Sequence, residues 1–482
     1  MQQEETLAAL LRLARPIIVS RLAIMMMGLC DVIVVGQYAA EELAYQSLGW
    51  APTGVVLVTA IGLLLGVQIL TARHIGEGRK ALAGAVWRRG LVYGFWLGLA
   101  GGAIVFLSAE PFLRLAGMDE SLARGAGAVA RVLALSLPFH LVYIATSFFL
   151  EGVNRPMPAM VAMLLANVLN LGLNLALVFG FGPIPAMGAV GSAWATLGAR
   201  LALAGGLVWF VWTMRDAAAY AVRARPRPDR ALSREQRRVG YAAGLSQAFE
   251  AGAFSMMNVI AGMVSALQVA AFAVGLNVLS IVFMIALGFS SATGVLVSQA
   301  RGRGDLGGMS QAAWLGLGAT ALAMLLPAAL FLAAPQLVAR AYVSDPVLLG
   351  VVTPLLILCA FVFVADGAQV VVAQALRSIG DVWFPTVSHF VSYALVMLPL
   401  GYLACVTWGR GAQGAMFAII AASLLSALIL TGRLWLRLRP SAGPPAGLAP
   451  GSSPGSSPGS ASAHEGAPAT RPQQLADPGG IC

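Results

Sequence analysis

The chain has 482 residues, 59% of them hydrophobic and only 10% charged, with a mean hydropathy of +0.82. Soluble proteins carry about 25% charged residues, so this composition excludes a soluble enzyme, a nucleic-acid binder and a single-pass receptor, and leaves a polytopic membrane protein. The formal net charge of +10 is read as arginine held in cytoplasmic loops to set topology, not as a surface for an acidic polymer.

The chain opens with Met-Gln-Gln-Glu-Glu, without the basic start of a signal peptide, so the first apolar run is expected to stay as a span. Apolar runs lie at roughly 16–38, 50–72, 90–108, 129–150, 157–180 and 188–213, then 239–263, 270–298, 311–333, 351–374, 383–407 and 411–435. Each reaches the length of about 20 residues that a helix needs to cross the hydrocarbon. The fold class predicted is an all-α polytopic membrane protein, with twelve transmembrane helices in two pseudo-symmetric six-helix bundles around a central cleft.

Charge supports that topology. With a cytoplasmic N-terminus, 22 of the 30 basic residues fall on cytoplasmic loops and ends and five on the outside, as the positive-inside rule requires for cytoplasmic N- and C-termini. The basic stretch 214–238 reads as a cytoplasmic linker between an N-terminal bundle (1–213) and a C-terminal bundle (239–436). Gly-, Pro- and Ser-rich composition predicts a disordered tail over 437–482. A shift of 226 lays Ala44, Gly49, Ala60, Gly62, Leu70, Gly76 and Gly78 on identical residues of the second half; a shift of 223 matches Gly188-Ala189-x-Gly191 with Gly411-Ala412-x-Gly414. Six spans per half makes these parallel repeats, as in transporters that alternate access around a cleft.

Ionisable groups inside a bilayer are costly and mark function. Three acids lie well inside predicted spans: Asp31, Glu250 and Asp366. At about 1.5 Å per residue, Asp366 is about 12 Å and Glu250 about 16 Å from the cytoplasmic ends of their spans. Two carboxylates at similar depth in one half either share a proton or hold a cation such as Na+ between them. Asp31 lies in the outer part of span one, level with Asn174 and Thr196, and Asn170 sits one turn from Asn174. These oxygens suit sodium or a proton relay; alternatively Arg200, one turn from Thr196, neutralises Asp31 as an ion pair. His140 falls on Asp366 under the repeat and either lines the cleft or is a core histidine, and His389 reads the same way. Arg21 is expected to snorkel toward the cytoplasmic headgroups.

The four cysteines are scattered without a CxxC, so neither disulfides nor a metal site is expected from them. Walker, nucleophile-elbow and HExxH motifs are missing, so no cofactor is expected, the protein is not an enzyme, and energy comes from a gradient of Na+ or H+.

Three stretches carry a family resemblance: PIIVSRLAIMMMGLCDVIVVGQ in span one, LNVLSIVFMIALGFSSATGVLVSQARGRGD in span eight and its loop, and DGAQVVVAQALRSIGD at span ten. AMGAVGSAWAT at span six fits with them. Over about residues 10–436 the chain resembles the multidrug and toxin extrusion (MATE) family in its bacterial NorM-like branch. The resemblance implies a V-shaped pair of six-helix bundles that exports organic cations in exchange for sodium ions or protons. It implies carboxylate positions at Asp31, Glu250 and Asp366, polar partners at Asn170, Asn174 and Thr196, and Asn277 near the cation site. Two departures are Val362, where some sodium-coupled members have tyrosine, and Arg21 in span one.

The expected protein is therefore a multi-pass antiporter of the bacterial inner membrane, monomeric, with small amphipathic or cationic substrates and no nucleic-acid partner. A lipid-linked saccharide flippase is the nearest alternative; it calls for an arginine-rich cleft, whereas arginine here is mostly confined to cytoplasmic loops.

Overall fold

A chain in hydrocarbon must satisfy its backbone polar groups internally, and helices do so within one segment. The computed structural model describes residues 2–115, 117–183, 185–224 and 229–439, and its regular elements are all helical. The first half contains α1 (Gln2–Tyr38), α2 (Ala40–Gly76), α3 (Lys80–Leu115), α4 (Glu120–Gly152), α5 (Met157–Val178) and α6 (Gly188–Thr213). The second contains α7 (Arg230–Val264), α8 (Ala266–Arg303), α9 (Leu306–Ala333), the short α10 (Pro335–Tyr342), α11 (Pro346–Ile379), α12 (Phe384–His389), α13 (Leu398–Tyr402) and α14 (Gly411–Leu438). Between α12 and α13, and again after α13, the chain keeps winding as π-helical turns, so that 384–407 forms one span.

Local chemistry sets several boundaries. The side chains of Asp229, Asp305 and Asp345 accept backbone N–H groups at the starts of α7, α9 and α11. Gly304 and Gly380 close α8 and α11 with φ of +72° and +102°, a conformation that only glycine adopts without strain. In each half, a side chain from the second helix caps the sixth. Ala189 N donates to Glu42 Oε2 at 2.7 Å, and Ala412 N to Gln268 Oε1 at 2.7 Å. These are equivalent positions under the repeat.

Within the first half α4 is central, packing on α2, α3 and α6; α11 takes that place in the second, against α8, α9 and α14. The halves meet through α2 against α7 and α8, and through α1 against α8. At this seam Gly62 abuts Gly244 so closely that a Cβ on Gly62 would lie 2.7 Å from Gly244 Cα. Gln374 Nε2 donates to Gln68 Oε1 at 2.9 Å, Gln299 Nε2 to Asn154 Oδ1 at 3.0 Å, and Arg73 pairs with Glu235 at 2.6 Å. The three polar contacts lie toward the arginine-bearing ends of the helices, whereas Gly62 and Gly244 meet further along α2 and α7. At the other end the caps of α6 and α14 are made within each half.

Several expectations change here. Among the described residues eleven helices are long and apolar enough to cross a membrane; α7, which completes the twelve expected, has the length, but Gln247, Glu250, Ser255 and Asn258 dilute its apolar character. The stretch 214–238 is not one linker element: 215–224 forms turns, and from Arg230 the chain already belongs to α7. Of the expected tail, Arg437 and Leu438 still belong to α14, and the part from residue 440 onward lies outside the described residues.

Arg21 does not snorkel. Because α1 begins at Gln2, Arg21 lies in mid-helix, where it is buried, ion-paired with Glu151 at 3.3 Å and set over the Phe148 ring. Glu151 is a fourth enclosed acid, held by Arg21, Ser147 Oγ at 3.0 Å and Gln68 Nε2 at 2.5 Å. Arg377 is buried in the last turn of α11.

Candidate functional site

A carboxylate taken out of water needs donors around it. Asp31, 1% exposed on α1, receives Asn174 Nδ2 and Thr196 Oγ1, each at 2.7 Å. Asn170 Nδ2 in turn reaches Thr196 Oγ1 at 3.4 Å. Their positions follow from helix geometry: Asn170 and Asn174 are one turn apart on α5, and α6 brings Thr196 against them. All donors to Asp31 are neutral. The carbonyl oxygens of Asn170 and Asn174 are buried without a partner, so the cluster is rich in unsatisfied acceptors. That is chemistry that suits an added proton or a small hard cation.

Arg200 does not pair with Asp31; among the described residues no cation lies within 4.0 Å of that carboxylate. Its guanidinium donates to Ser136 Oγ at 2.7 Å and lies 5.3 Å from the Trp50 ring centroid. His140 is 2% exposed, its ring 5.8 Å from that of Tyr143, and both of its ring nitrogens are without partners.

In the other half, α7 carries Glu250, buried, and α11 carries Asp366, partly buried. Asp366 Oδ1 accepts from Gln369 Nε2 at 2.8 Å and from Ser423 Oγ at 3.4 Å. Gln369 also hydrogen-bonds Tyr393. On the far side of Glu250, His389 Nδ1 lies 3.8 Å from its carboxylate and 2.8 Å from Ser246 Oγ, to which Arg377 also donates. A cavity of about 10 Å³, room for roughly one water, borders Asp366 and is lined by Phe283, Met324 and Phe363 among others. Asp366 therefore combines charge with an aromatic and thioether wall.

Asn277 is not part of this pair. It is exposed on α8 and accepts from the Tyr342 hydroxyl at 3.3 Å. The partners that were missed, Glu151, Gln369, Ser246 and Arg377, had a usable signal. Ser136, His140, Tyr143, Ser147 and Glu151 recur at helical spacing along α4, and the 226 shift carries the last of them onto Arg377.

Against known proteins, the MatE family profile matches residues 16–176 and again 242–403, two matches whose starts stand at the offset of the internal repeat. The chain belongs to the MatE family. It is 46% identical over 427 residues to "Probable multidrug resistance protein NorM" of Caulobacter vibrioides, covering 89% of this chain and 91% of that one. The protein of the same name in Deinococcus radiodurans is 33% identical, with 90% and 96% covered. Among solved structures, the eukaryotic MATE transporter AtDTX14 superimposes with a TM-score of 0.84 at 17% identity, over 90% of this chain and 97% of that one. That likeness establishes the fold: two six-helix bundles around a cleft. MatE proteins are transporters, not enzymes, and this one is a multi-pass membrane protein.

Proposed function

We propose that this MatE protein is a secondary antiporter that exports amphipathic, cationic organic compounds in exchange for Na+ or H+. The observation that carries the reading is the Glu250–Asp366 pair. Two enclosed carboxylates, of which Asp366 borders an apolar cavity, favour any arriving positive charge. A drug cation with an apolar body meets both needs, and so does a small ion or proton. The two compete for the same negative charge, so loading the ion releases the drug. Asp31, with neutral donors and spare acceptors, serves the first half in the same way. The name shared by the relatives in Caulobacter vibrioides and Deinococcus radiodurans supports multidrug compounds as cargo. Binding drives the exchange only through different affinities for the two states of the cleft.

On this reading the arginine-rich end faces the cytoplasm of a bacterial inner membrane, both termini lie on that side, and one chain suffices for transport. The seam between the halves opens when the acids are discharged. The decisive measurement is uptake of an ethidium-like dye into everted vesicles under imposed sodium or pH gradients. Export driven by one gradient and lost in Asp366→Asn and Glu250→Gln is expected; unchanged export by these variants refutes the carboxylate mechanism.

A further inference from the structure

After α6 ends at Thr213 the chain runs through turns over 215–224, yet this link is built into the first bundle. Met214, Ala217, Tyr220 and Val222 are buried in its core, with the Tyr220 ring edge-on to Phe149. Arg88 on α3 donates to the backbone carbonyls of Ala221 and Val222, the second at 2.8 Å. Asp216 pairs with Arg155. The turns border a cavity of about 390 Å³, inside the range of roughly 300–1,000 Å³ that small-molecule sites occupy. Its walls are Arg215, Arg223, Met214 and four alanines, with no acid among the described residues that line it. Arg215 is exposed and has no hydrogen-bond or ion-pair partner among the described residues. Arg223 donates through Nε and Nη2 to the carbonyl of Trp212 at 3.2 and 2.9 Å. That fixes its guanidinium at the end of α6 and leaves Nη1 for a ligand. At the matching end of α14, by contrast, Arg433 and Arg437 both engage Asp381. Trp209 and Trp212 lie about one turn apart at the end of α6, 69% and 44% exposed, and tryptophan gathers where hydrocarbon gives way to headgroups. The cavity begins directly after them in the chain, so its two guanidinium groups stand at the level of lipid phosphate.

We propose that this cavity binds the phosphodiester of an anionic phospholipid, Arg215 and Arg223 meeting its oxygens while the acyl chains run past Trp212 and Trp209. A guanidinium pairs with phosphate oxygens through two parallel hydrogen bonds, and basic pockets beside membrane helices suit anionic headgroups. A zwitterionic choline lipid brings its own cation against two arginines and is disfavoured. Free phosphate presents the same oxygens but has nothing to lie along the exposed indoles, so the lipid is the ligand.

The test uses the full chain in detergent with no gradient, so its outcome is independent of whether the protein exchanges drug for ion. Native mass spectrometry counts retained lipid as dioleoyl phosphatidylglycerol or dioleoyl phosphatidylcholine is titrated in. Wild-type protein is expected to hold phosphatidylglycerol roughly tenfold more tightly than phosphatidylcholine. Arg215→Gln with Arg223→Gln should remove that preference. Arg12→Gln with Arg15→Gln, which takes two exposed arginines from α1, should keep it. Equal loss in both double variants would show diffuse attraction to basic charge and overturn the site, and so would equal retention of the two lipids by wild type. Excess sn-glycerol 1-phosphate should leave the bound lipid in place; displacement at comparable concentration would overturn the lipid assignment. Should Arg223→Gln disturb the end of α6, Arg215→Gln alone gives the same comparison. A weakening of roughly threefold for phosphatidylglycerol only is then expected, and no change overturns the site.

Discussion

Arg21 and Glu151 are a charge pair taken out of water, with side chains 10% and 3% exposed. Removing one partner from such a pair strands the other in a medium that solvates it badly. Arg21→Met should therefore cost about 3–5 kcal/mol, whereas Arg21→Met with Glu151→Gln should recover much of that loss. Thermal unfolding in detergent, read as a double-mutant cycle, checks both; equal losses in the single and double variants would mean the pair is not the cause. The pair was unreadable from the chain because its placement depended on where helices end. An α1 that began at residue 16 would put Arg21 near the headgroups, and an α4 that stopped at 150 would put Glu151 in a loop. Asp31, Asn170, Asn174 and Thr196 were readable, because one-turn spacing and equal depth already place oxygens together.

The turn that follows α2 shows how one element is tied at the membrane surface. Glu77 accepts from Arg73 Nε at 2.9 Å, pairs with His74 Nδ1 at 2.8 Å and also binds Arg79. Burial pushes its carboxyl up, but the hydrogen bond and charge of His74, the charge of Arg73 and the hydrogen bond of Arg79 outweigh that and hold it below its ordinary range. A depressed folded-state pKa contributes stability that is present above the unfolded value, about 4.5, and lost as pH falls through the folded one. Melting temperature should accordingly fall more steeply between about pH 5 and pH 3 in wild type than in Glu77→Gln; parallel curves would remove the carboxylate from the explanation. The sequence located spans well and their ends poorly. A hydrophobic run reports the part of a helix in hydrocarbon, while α1, α2 and α8 continue as polar, hydrogen-bonded helix beyond it.

Across the molecule, the seam between the halves combines apolar packing with polar contacts and close backbone approach: Leu10, Leu13, Ala14 and Ile17 of α1 share a buried core with α8 and α11, and Ile69 packs with Val239 and Ala242, while Gln68 meets Gln374, Asn154 meets Gln299, Arg73 pairs with Glu235, and Gly62 abuts Gly244. Hydrogen bonds of this kind are worth about 0.5–1.5 kcal/mol each. Joining Asn154→Cys to Gln299→Cys with a short thiol-reactive crosslinker should stop dye export, and a reducible linker should restore it on cleavage. Continued export by fully crosslinked protein would show that this end need not open.

Composition alone determined that the chain lives in a bilayer, because so few charges cannot cover a soluble surface. Period and repeat determined a duplicated helical plan, and the rarity of intramembrane acids singled out Asp31, Glu250 and Asp366. What only the tertiary structure decided is which side chain answers which. Arg200 turned to Ser136 and not to Asp31, Arg21 found Glu151, and Asn277 stood apart from the acid pair. The reason is physical: one helix sets spacing along its own axis, but a partner across a bundle depends on rotation and packing of neighbouring helices, which no local pattern of residues encodes.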